Sequence, residues 1–280
     1  KKMIEEYIIN IPEENIDLLR QKINLTRWPD EINNKYWSHG TSMSFLKDLS
    51  AYWINDFNWR THEQELNDIG SYKFSSNSGL EIHFLHAKSN QKNALPLVMT
   101  HGWPGSVLEF LDVIDPLTDP TKSGGTLGDA FHLIIPSLPG FGFSDAPTNP
   151  GVGVEKIAAI WDELMHQLGY SNYLAQGGDW GSLVTQSLLT TATHCKAGHI
   201  NLPIVLPDEL TLASNEPAEQ ATIAAAMHYQ DHESGYSRQQ STRPQTLAYS
   251  LADSPSGQMA WIIEKFAQWT DCERNGERHP

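Results

Sequence analysis

YLAQGGDWGSLVTQSLL, residues 173–189, is the stretch of sequence that decides the fold. A short apolar strand is predicted over 173–176 and a helix over 182–189, with Gly-Gly-Asp-Trp-Gly between them. Gly-x-nucleophile-x-Gly is typical of the sharp strand-to-helix turn called a nucleophile elbow, here centred on Asp179. A carboxylate there can attack a saturated carbon that carries a strained or good leaving group, forming an ester. The alternative is an Asp that caps the helix in an ordinary glycine-rich loop.

Strands and helices alternate on the amino-terminal side of this turn. Continuous apolar runs at 95–99 and 131–135 are typical of strands covered on both faces, as in a parallel sheet. Between 135 and 173, apolar residues at helical spacing predict an amphipathic helix that ends at Gly169; they are Ile157, Ile160, Trp161, Leu164 and Leu168. The alternation predicts an α/β fold, a mostly parallel sheet flanked by helices.

Helical segments are predicted at both ends of the chain. Two apolar stripes precede the sheet: Ile16, Leu19 and Ile23, then Phe45, Leu49, Tyr52 and Trp53. From Gly79 apolar and polar residues alternate, which predicts an antiparallel strand. We therefore predict an N-terminal extension with the first antiparallel strands over 1–94, a core over 95–206 and a partial helical lid over 207–280.

Composition excludes several classes of function. The chain has 280 residues and a net charge of −15, which disfavours nucleic acid and anionic membranes as partners. Its sequence lacks an apolar window of the ~18 residues that a membrane helix needs, and its start lacks the apolar stretch of a signal peptide. Cys195 and Cys272 match neither a disulfide framework nor a metal knuckle. These features predict a cytoplasmic protein.

A second turn, His101-Gly102-Trp103-Pro104-Gly105-Ser106, follows the strand predicted to end at Thr100. Where that strand neighbours the elbow strand, the backbone N–H of Trp103 lies beside that of Trp180. Two such donors form an oxyanion pocket, which would stabilise the tetrahedral species when water cleaves the ester. His101 is predicted to be a structural turn residue bonded to backbone.

Four segments together resemble the epoxide hydrolases of the α/β-hydrolase superfamily: HGWPGS (101–106), PSLPGFGFSDAP (136–147), GGDWGS (177–182) and ESGYSRQQSTRPQTLAYSLADSP (233–255). TRWPDE at 26–31 is similar to the N-terminal helical extension of the microsomal-type branch. The closer likeness is to its soluble bacterial and fungal members. The resemblance spans nearly the whole chain and implies the α/β-hydrolase fold with a helical lid.

On this resemblance, Asp179 opens the epoxide, and the N–H groups of Trp103 and Trp180 form the oxyanion hole. Tyr236 matches the first of two lid tyrosines that hydrogen-bond the epoxide oxygen. A phenol with an unperturbed pKa of ~10 stays protonated at neutral pH and can donate to an alkoxide. The alternative for Tyr236 is an ordinary Gly-Tyr turn before a helix. Three further aromatic residues are predicted to pack the lid or line its pocket: Tyr249, Trp261 and Trp269.

The resemblance also implies a second lid tyrosine, an acid and a general-base histidine well beyond the ESGY segment, whereas this sequence ends at Pro280. The histidines after the elbow receive no catalytic assignment: His194, His199, His228, His232 and His279. His228 and His232 are spaced four apart on a predicted helix. For this pair a solvated face is favoured over a metal site because no third ligand is evident. We expect a fragment of a longer enzyme, with the last strands of its sheet missing.

The predicted function is hydrolysis of a small apolar epoxide to a vicinal diol through a covalent aspartyl ester, with water as the second reactant and without cofactor or metal. Without the base, full turnover is not expected from this sequence alone. One alternative is a dehalogenase with the same Asp nucleophile; halide needs N–H donors such as indoles, so Tyr236 favours the epoxide. The other alternative is a non-catalytic homologue that binds ligands in the pocket. The sequence predicts no oligomeric state.

Overall fold

The structure is a computed structural model that describes residues 3–34, 37–274 and 277–278. The chain divides into two compact units, Lys1–Asn10 with Trp59–Ile204 and Ile11–Asn58 with Val205–Pro280. This division differs from the three segments set out from the sequence. The first antiparallel strands cluster with the core strands, and most of the N-terminal helical extension clusters with the C-terminal helices.

The first unit is built on a seven-stranded sheet with the order β1-β2-β3-β5-β4-β6-β7. Its strands are β1 (Ile4–Glu6), β2 (Ser71–Ser75), β3 (Glu81–Ala87), β4 (Leu95–Thr100), β5 (Phe131–Pro136), β6 (Tyr173–Gly178) and β7 (Cys195–Asn201). Antiparallel pairs join β1 to β2, β2 to β3 and β3 to β5, whereas β5, β4, β6 and β7 run parallel. The mostly parallel core of this mixed sheet confirms the predicted α/β fold.

The helices alternate with these strands in the first unit and make up most of the second. They are α1 (Glu13–Asn24), α2 (Met43–Asn55), α3 (Trp59–Ile69), α4 (Leu111–Thr118), α5 (Val154–Gln167), α6 (Trp180–Thr191), α7 (Glu209–Ala213), α8 (Pro217–His228), α9 (Gly235–Thr242), α10 (Pro244–Asp253) and α11 (Pro255–Trp269). In the described part of the chain, the helices are too short or too polar to cross a membrane.

Helix α5 anchors the centre of the sheet. Its apolar face is buried along Ala158, Trp161, Leu164 and Met165, in the same cluster as Val98 of β4. The indole Nε1–H of Trp161 donates to Thr100 Oγ1 at 3.0 Å. The helix ends before Gly169, as predicted, and that glycine has a φ of 87°. This packing fixes the end of β4, after which the second functional turn begins.

Strand β3 is covered on both faces. Ile82 and Phe84 are fully buried on the predicted apolar face, and His83 is fully buried on the other. The imidazole of His83 lies between two hydroxyl groups, Ser71 Oγ at 3.0 Å and Ser137 Oγ at 2.8 Å. Burial lowers the pKa of His83 to about 4, with a smaller effect from the nearby Lys73 charge. This histidine is therefore a neutral structural residue at physiological pH.

Strand β7 forms one edge of the sheet. It pairs with β6, and the described residues place no strand on its other side. The side chains of Lys196 and His199 are exposed. An edge strand presents unpaired backbone groups on one side.

The second unit combines α1 and α2 with the helices from α7 onward. Lys22 Nζ lies 2.8 Å from Asp253 Oδ1, and Thr41 Oγ1 donates to the carbonyl of Ala260 at 2.7 Å. The predicted helical stripes are present, but Tyr52 of the second stripe is exposed rather than buried. These contacts make the N-terminal extension and the C-terminal helices parts of one body.

Candidate active site

The two functional turns lie at the point where the strand order of the sheet reverses. After β4 the chain passes to β5 on one side and then to β6 on the other. In open α/β sheets, ligands bind at the carboxyl ends of strands at such a point. Thr100 at the end of β4 pairs with Gly177 of β6. The turns that begin at His101 and Gly178 are therefore neighbours, as the oxyanion-pocket argument requires.

The predicted elbow is present at Asp179. This residue has φ 51° and ψ −124°, a conformation that side chains other than glycine rarely adopt. A Cβ on Gly177 would meet the carbonyl of Gly181, and a Cβ on Gly181 would meet the carbonyl of Thr100. Both flanking positions therefore require glycine because backbone lies where a side chain would begin.

The carboxylate of Asp179 is held by the neighbouring turn. The backbone N–H of Trp103 donates to Asp179 Oδ1 at 2.9 Å. Gly102 makes this approach possible, since a Cβ there would collide with the Asp179 side chain. Asp179 occupies the N-cap position of α6, but its side chain forms no capping hydrogen bond. The alternative of a simple capping Asp is therefore wrong.

Trp180 is the first residue of α6. Its side chain is exposed, and its backbone N–H belongs to the first turn, where no carbonyl of the helix can accept it. The same helix N-terminus favours a negative charge at Asp179. Donation by this N–H to a developing oxyanion stays a prediction.

His101 has the structural role predicted for it. The residue is 1% exposed; Nε2 accepts the N–H of Leu138 at 3.0 Å, and Nδ1 lies 3.0 Å from the carbonyl of Gly102. Because Nε2 accepts, Nδ1 carries the proton and donates to Gly102. Burial lowers the pKa of His101 and keeps the ring neutral. The ring thus fixes the turn that carries Trp103.

Glu109 is a residue of this site that the sequence reasoning missed. It lies in the 3₁₀ turn Val107–Phe110, and its Oε1 is 3.4 Å from the backbone N–H of Gly102. The residue is exposed, yet loss of water around the carboxyl raises its pKa, and the Asp179 charge adds to this. In HGWPGSVLEF, a lone acid on a short turn is indistinguishable from a surface residue.

An apolar cavity of about 760 Å³ lies on the sheet beside these turns. Glu109 and Gly178 are in its wall, whereas Asp179 is not among its lining residues. Most of the lining is aliphatic or aromatic and includes Leu97, Met99, Phe110, Val113, Leu117 and Phe131. A surface of this kind suits an apolar ligand.

Tyr236 lies in the first turn of α9, in the second unit. Its hydroxyl is 3.0 Å from that of Tyr229, and its ring makes an edge contact with Trp269 at 5.4 Å between centroids. Trp261 and Tyr236 line a cavity of about 600 Å³, as predicted for Trp261. Tyr249 is 71% exposed, so the prediction that it packs or lines the pocket is wrong.

The described histidines after the elbow are divided between the two units, His194 and His199 in the first and His228 and His232 in the second. The rings of His228 and His232 lie 4.8 Å apart and are exposed, as predicted for a solvated face. Within residues 3–34, 37–274 and 277–278, no three metal-ligating side chains come together. His194 Nδ1 bonds the carbonyl of Ser171 at 2.6 Å. His279 lies outside the described residues.

A mixed sheet with four adjacent parallel strands, an aspartate on a strained elbow and an N–H donor from the neighbouring turn define an α/β hydrolase with a carboxylate in the nucleophile position. Residues 96–246 match the family described as alpha/beta hydrolase fold, and residues 4–110 match the family described as Epoxide hydrolase N terminus. The chain belongs to the epoxide hydrolase family.

Individual relatives agree with this assignment. A Stigmatella aurantiaca protein named "Putative epoxide hydrolase" is 49% identical over 275 residues, 98% of this chain and 62% of that one. The epoxide hydrolase of Aspergillus niger superposes with a TM-score of 0.86 at 32% identity, over 98% of this chain and 72% of that one. The juvenile hormone epoxide hydrolase of Bombyx mori has a TM-score of 0.87 at 30% identity, over 97% of this chain and 67% of that one. The chain spans about three fifths of the curated Stigmatella relative.

Proposed function

We propose that the protein hydrolyses a small apolar epoxide to a vicinal diol through a covalent ester on Asp179. The observation that carries this proposal is the hydrogen bond of 2.9 Å from the Trp103 N–H to Asp179 Oδ1 at the strained elbow. It holds one carboxylate oxygen in a defined place and leaves Oδ2 as the attacking atom. Membership of the epoxide hydrolase family supports the same chemistry.

In the first step, Oδ2 of Asp179 forms a bond to an epoxide carbon while the bond from that carbon to the ring oxygen breaks. The released oxygen is an alkoxide and takes a proton from the Tyr236 hydroxyl. A positioned general acid of this kind is worth ~10²- to 10⁴-fold in rate. The helix N-terminus beside Asp179 favours the anionic carboxylate that this step consumes.

In the second step, water attacks the ester carbonyl carbon and gives a tetrahedral intermediate with its negative charge on Oδ1. The Trp103 N–H already lies 2.9 Å from that atom, and the Trp180 N–H is the second donor we propose. Removing one such donor typically costs ~10²- to 10³-fold in rate. Breakdown cleaves the bond from the ester carbonyl carbon to the substrate oxygen, which takes one proton of the attacking water and leaves as the second hydroxyl of the diol. The other proton of that water returns to the Tyr236 phenolate, and the carboxylate is restored with one oxygen derived from water. The base that takes the proton of water is not assigned to any described histidine.

We place this activity in the cytoplasm. Cys195 and Cys272 are both free thiols, as expected in a reducing compartment. The net charge of −15 supports a neutral small molecule, rather than nucleic acid or an anionic membrane, as the partner.

The test is covalent labelling followed by peptide mass analysis. Incubation with styrene oxide should add one epoxide mass to the peptide that contains Asp179, because the first step needs no base. Asp179→Ala should abolish the adduct, whereas the matched control Asp112→Ala, at an exposed aspartate of α4, should keep it.

Two outcomes would contradict the proposal. An adduct that survives in Asp179→Ala means that another residue is the nucleophile. Halide release from a chloroalkane, with no adduct from the epoxide, would favour the dehalogenase alternative. Where the ester does turn over, reaction in ¹⁸O-labelled water should place the label in Asp179 before it appears in the diol.

A further inference from the structure

A lysine ammonium is buried against the ring of Tyr236. Lys265 of α11 is 5% exposed, and its Nζ lies 4.7 Å from the centroid of the Tyr236 ring. The same Nζ is 5.9 Å from the ring of Trp269 and 2.6 Å from Glu264 Oε2. Burial of a charge is costly even when the charge is paired, so this placement needs a reason.

The ring and the hydroxyl of Tyr236 are held by separate contacts. Lys265 and Trp269 contact the ring, whereas the Tyr229 hydroxyl lies 3.0 Å from the Tyr236 hydroxyl. Tyr229 opens a π-helical turn, Tyr229–Glu233, directly before the segment that carries Tyr236. π-Helical turns are rare in proteins, and those that occur are often found at functional sites. The second unit therefore fixes this phenol from two directions.

We propose that Lys265 is a positioning residue for the acid of the reaction, and that its ammonium makes the Tyr236 phenol a readier proton donor. This inference rests on the proposed function, in which Tyr236 protonates the leaving alkoxide. A positive charge a few ångströms from a phenol stabilises the phenolate that forms when the proton leaves. The charge thus acts as the transition state develops negative charge on the tyrosine oxygen.

Several neighbouring groups affect the same phenol. Glu264 is paired with Lys265 and opposes its effect, since a carboxylate disfavours a phenolate. Glu233 and His232 face the same cavity of about 600 Å³ from the π-helical turn. Removing the Lys265 charge and removing the Glu264 charge should therefore shift the pH at which Tyr236 titrates in opposite directions. This opposition separates an electrostatic role from a purely structural one.

The experiment is an ultraviolet titration of phenolate, with the Tyr236 signal isolated by subtracting Tyr236→Phe. In Lys265→Met the pH at which Tyr236 titrates should rise by about one unit or more, because the cation is lost and Glu264 remains. Lys265→Arg should keep the parent value, and Glu264→Gln should lower it. The matched control is Lys47→Met, which removes another lysine that lies over an aromatic ring, with its Nζ 5.4 Å from the centroid of Trp28. This control should leave the pH at which Tyr236 titrates unchanged.

A second readout is the rate of adduct formation on Asp179 with styrene oxide. Lys265→Met should form the adduct about tenfold more slowly, and Lys265→Arg should restore most of the rate. An unchanged Tyr236 titration or adduct rate in folded Lys265→Met overturns the proposal. The proposal is also overturned if Tyr236 titrates at a higher pH in Glu264→Gln than in the parent. This second variant tests the proposal even where Lys265→Met does not fold. A parent protein that gives neither an adduct nor a diol from styrene oxide refutes the proposed function instead, while the titration still tests the coupling.

Discussion

The strained backbone at Asp179 predicts that glycine is more stable than alanine at this position, the reverse of the usual order. With φ 51° and ψ −124°, any residue that has a Cβ is strained here. Asp179→Gly and Asp179→Ala both lose the hydrogen bond from the Trp103 N–H, so that loss cancels between them. Their difference measures the strain.

The magnitude follows from two opposing effects. A residue held in such a conformation costs ~1–3 kcal/mol, which glycine recovers. Glycine loses about 0.5–1 kcal/mol through the greater freedom of the unfolded chain. We therefore expect Asp179→Gly to exceed Asp179→Ala by about 1 kcal/mol in free energy of unfolding. The control Ala159→Gly, at an exposed position inside α5, should instead lose about 1 kcal/mol.

Urea unfolding of the four proteins measures these differences. A change of 1 kcal/mol moves the midpoint by roughly 0.3–1 M, because slopes in urea are ~1–3 kcal/mol per molar. Asp179→Gly should unfold at a higher urea concentration than Asp179→Ala. If Asp179→Gly were instead the less stable of the two, by the same amount as the Ala159 control, the backbone at 179 would not be strained and the elbow assignment would fail.

Three further predictions follow from the first unit. Gly181→Ala should cost more than about 3 kcal/mol in urea unfolding, because its Cβ would meet the carbonyl of Thr100; a parent-like midpoint would contradict this. Burial lowers the pKa of His83 and His86 to about 4, so the unfolded chain binds protons that the folded chain does not. The free energy of unfolding should fall by about 2 kcal/mol for each histidine between about pH 7 and pH 5, and a flat profile would refute it. The pKa of Glu109 is raised, so ionisation opposes folding, and Glu109→Gln should gain stability over the parent as the pH rises from about 4 to 8; equal pH profiles would count against this.

Much of the first unit could be predicted because its signals are local. The apolar runs of β4, β5 and β6 are each bounded by glycine or proline turns, and α5 has a full apolar stripe. The elbow follows from two glycines around one aspartate. In contrast, β1 has three residues, too few to show alternation, and it exists because β2 pairs with it.

The residues that the sequence did not reveal are those whose role comes from tertiary contacts. Glu109 approaches Gly102 only because the turn folds back on itself. Lys265 lies four residues from both Trp261 and Trp269 on α11, so helical spacing does place it on an aromatic face. A lysine between two tryptophans on one helix face is thus a signal that can be found in a sequence. No comparable pattern around Tyr249 indicated that its side chain would be exposed.

Asp179 and Tyr236, which we propose as the nucleophile and the acid, belong to different compact units of the chain. On this proposal, substitutions in α9 and α11 would alter the donor to the leaving oxygen without changing the bend at Asp179, which is flanked by glycines. Such a division would let the range of epoxides diversify while the bond-forming centre is inherited unchanged.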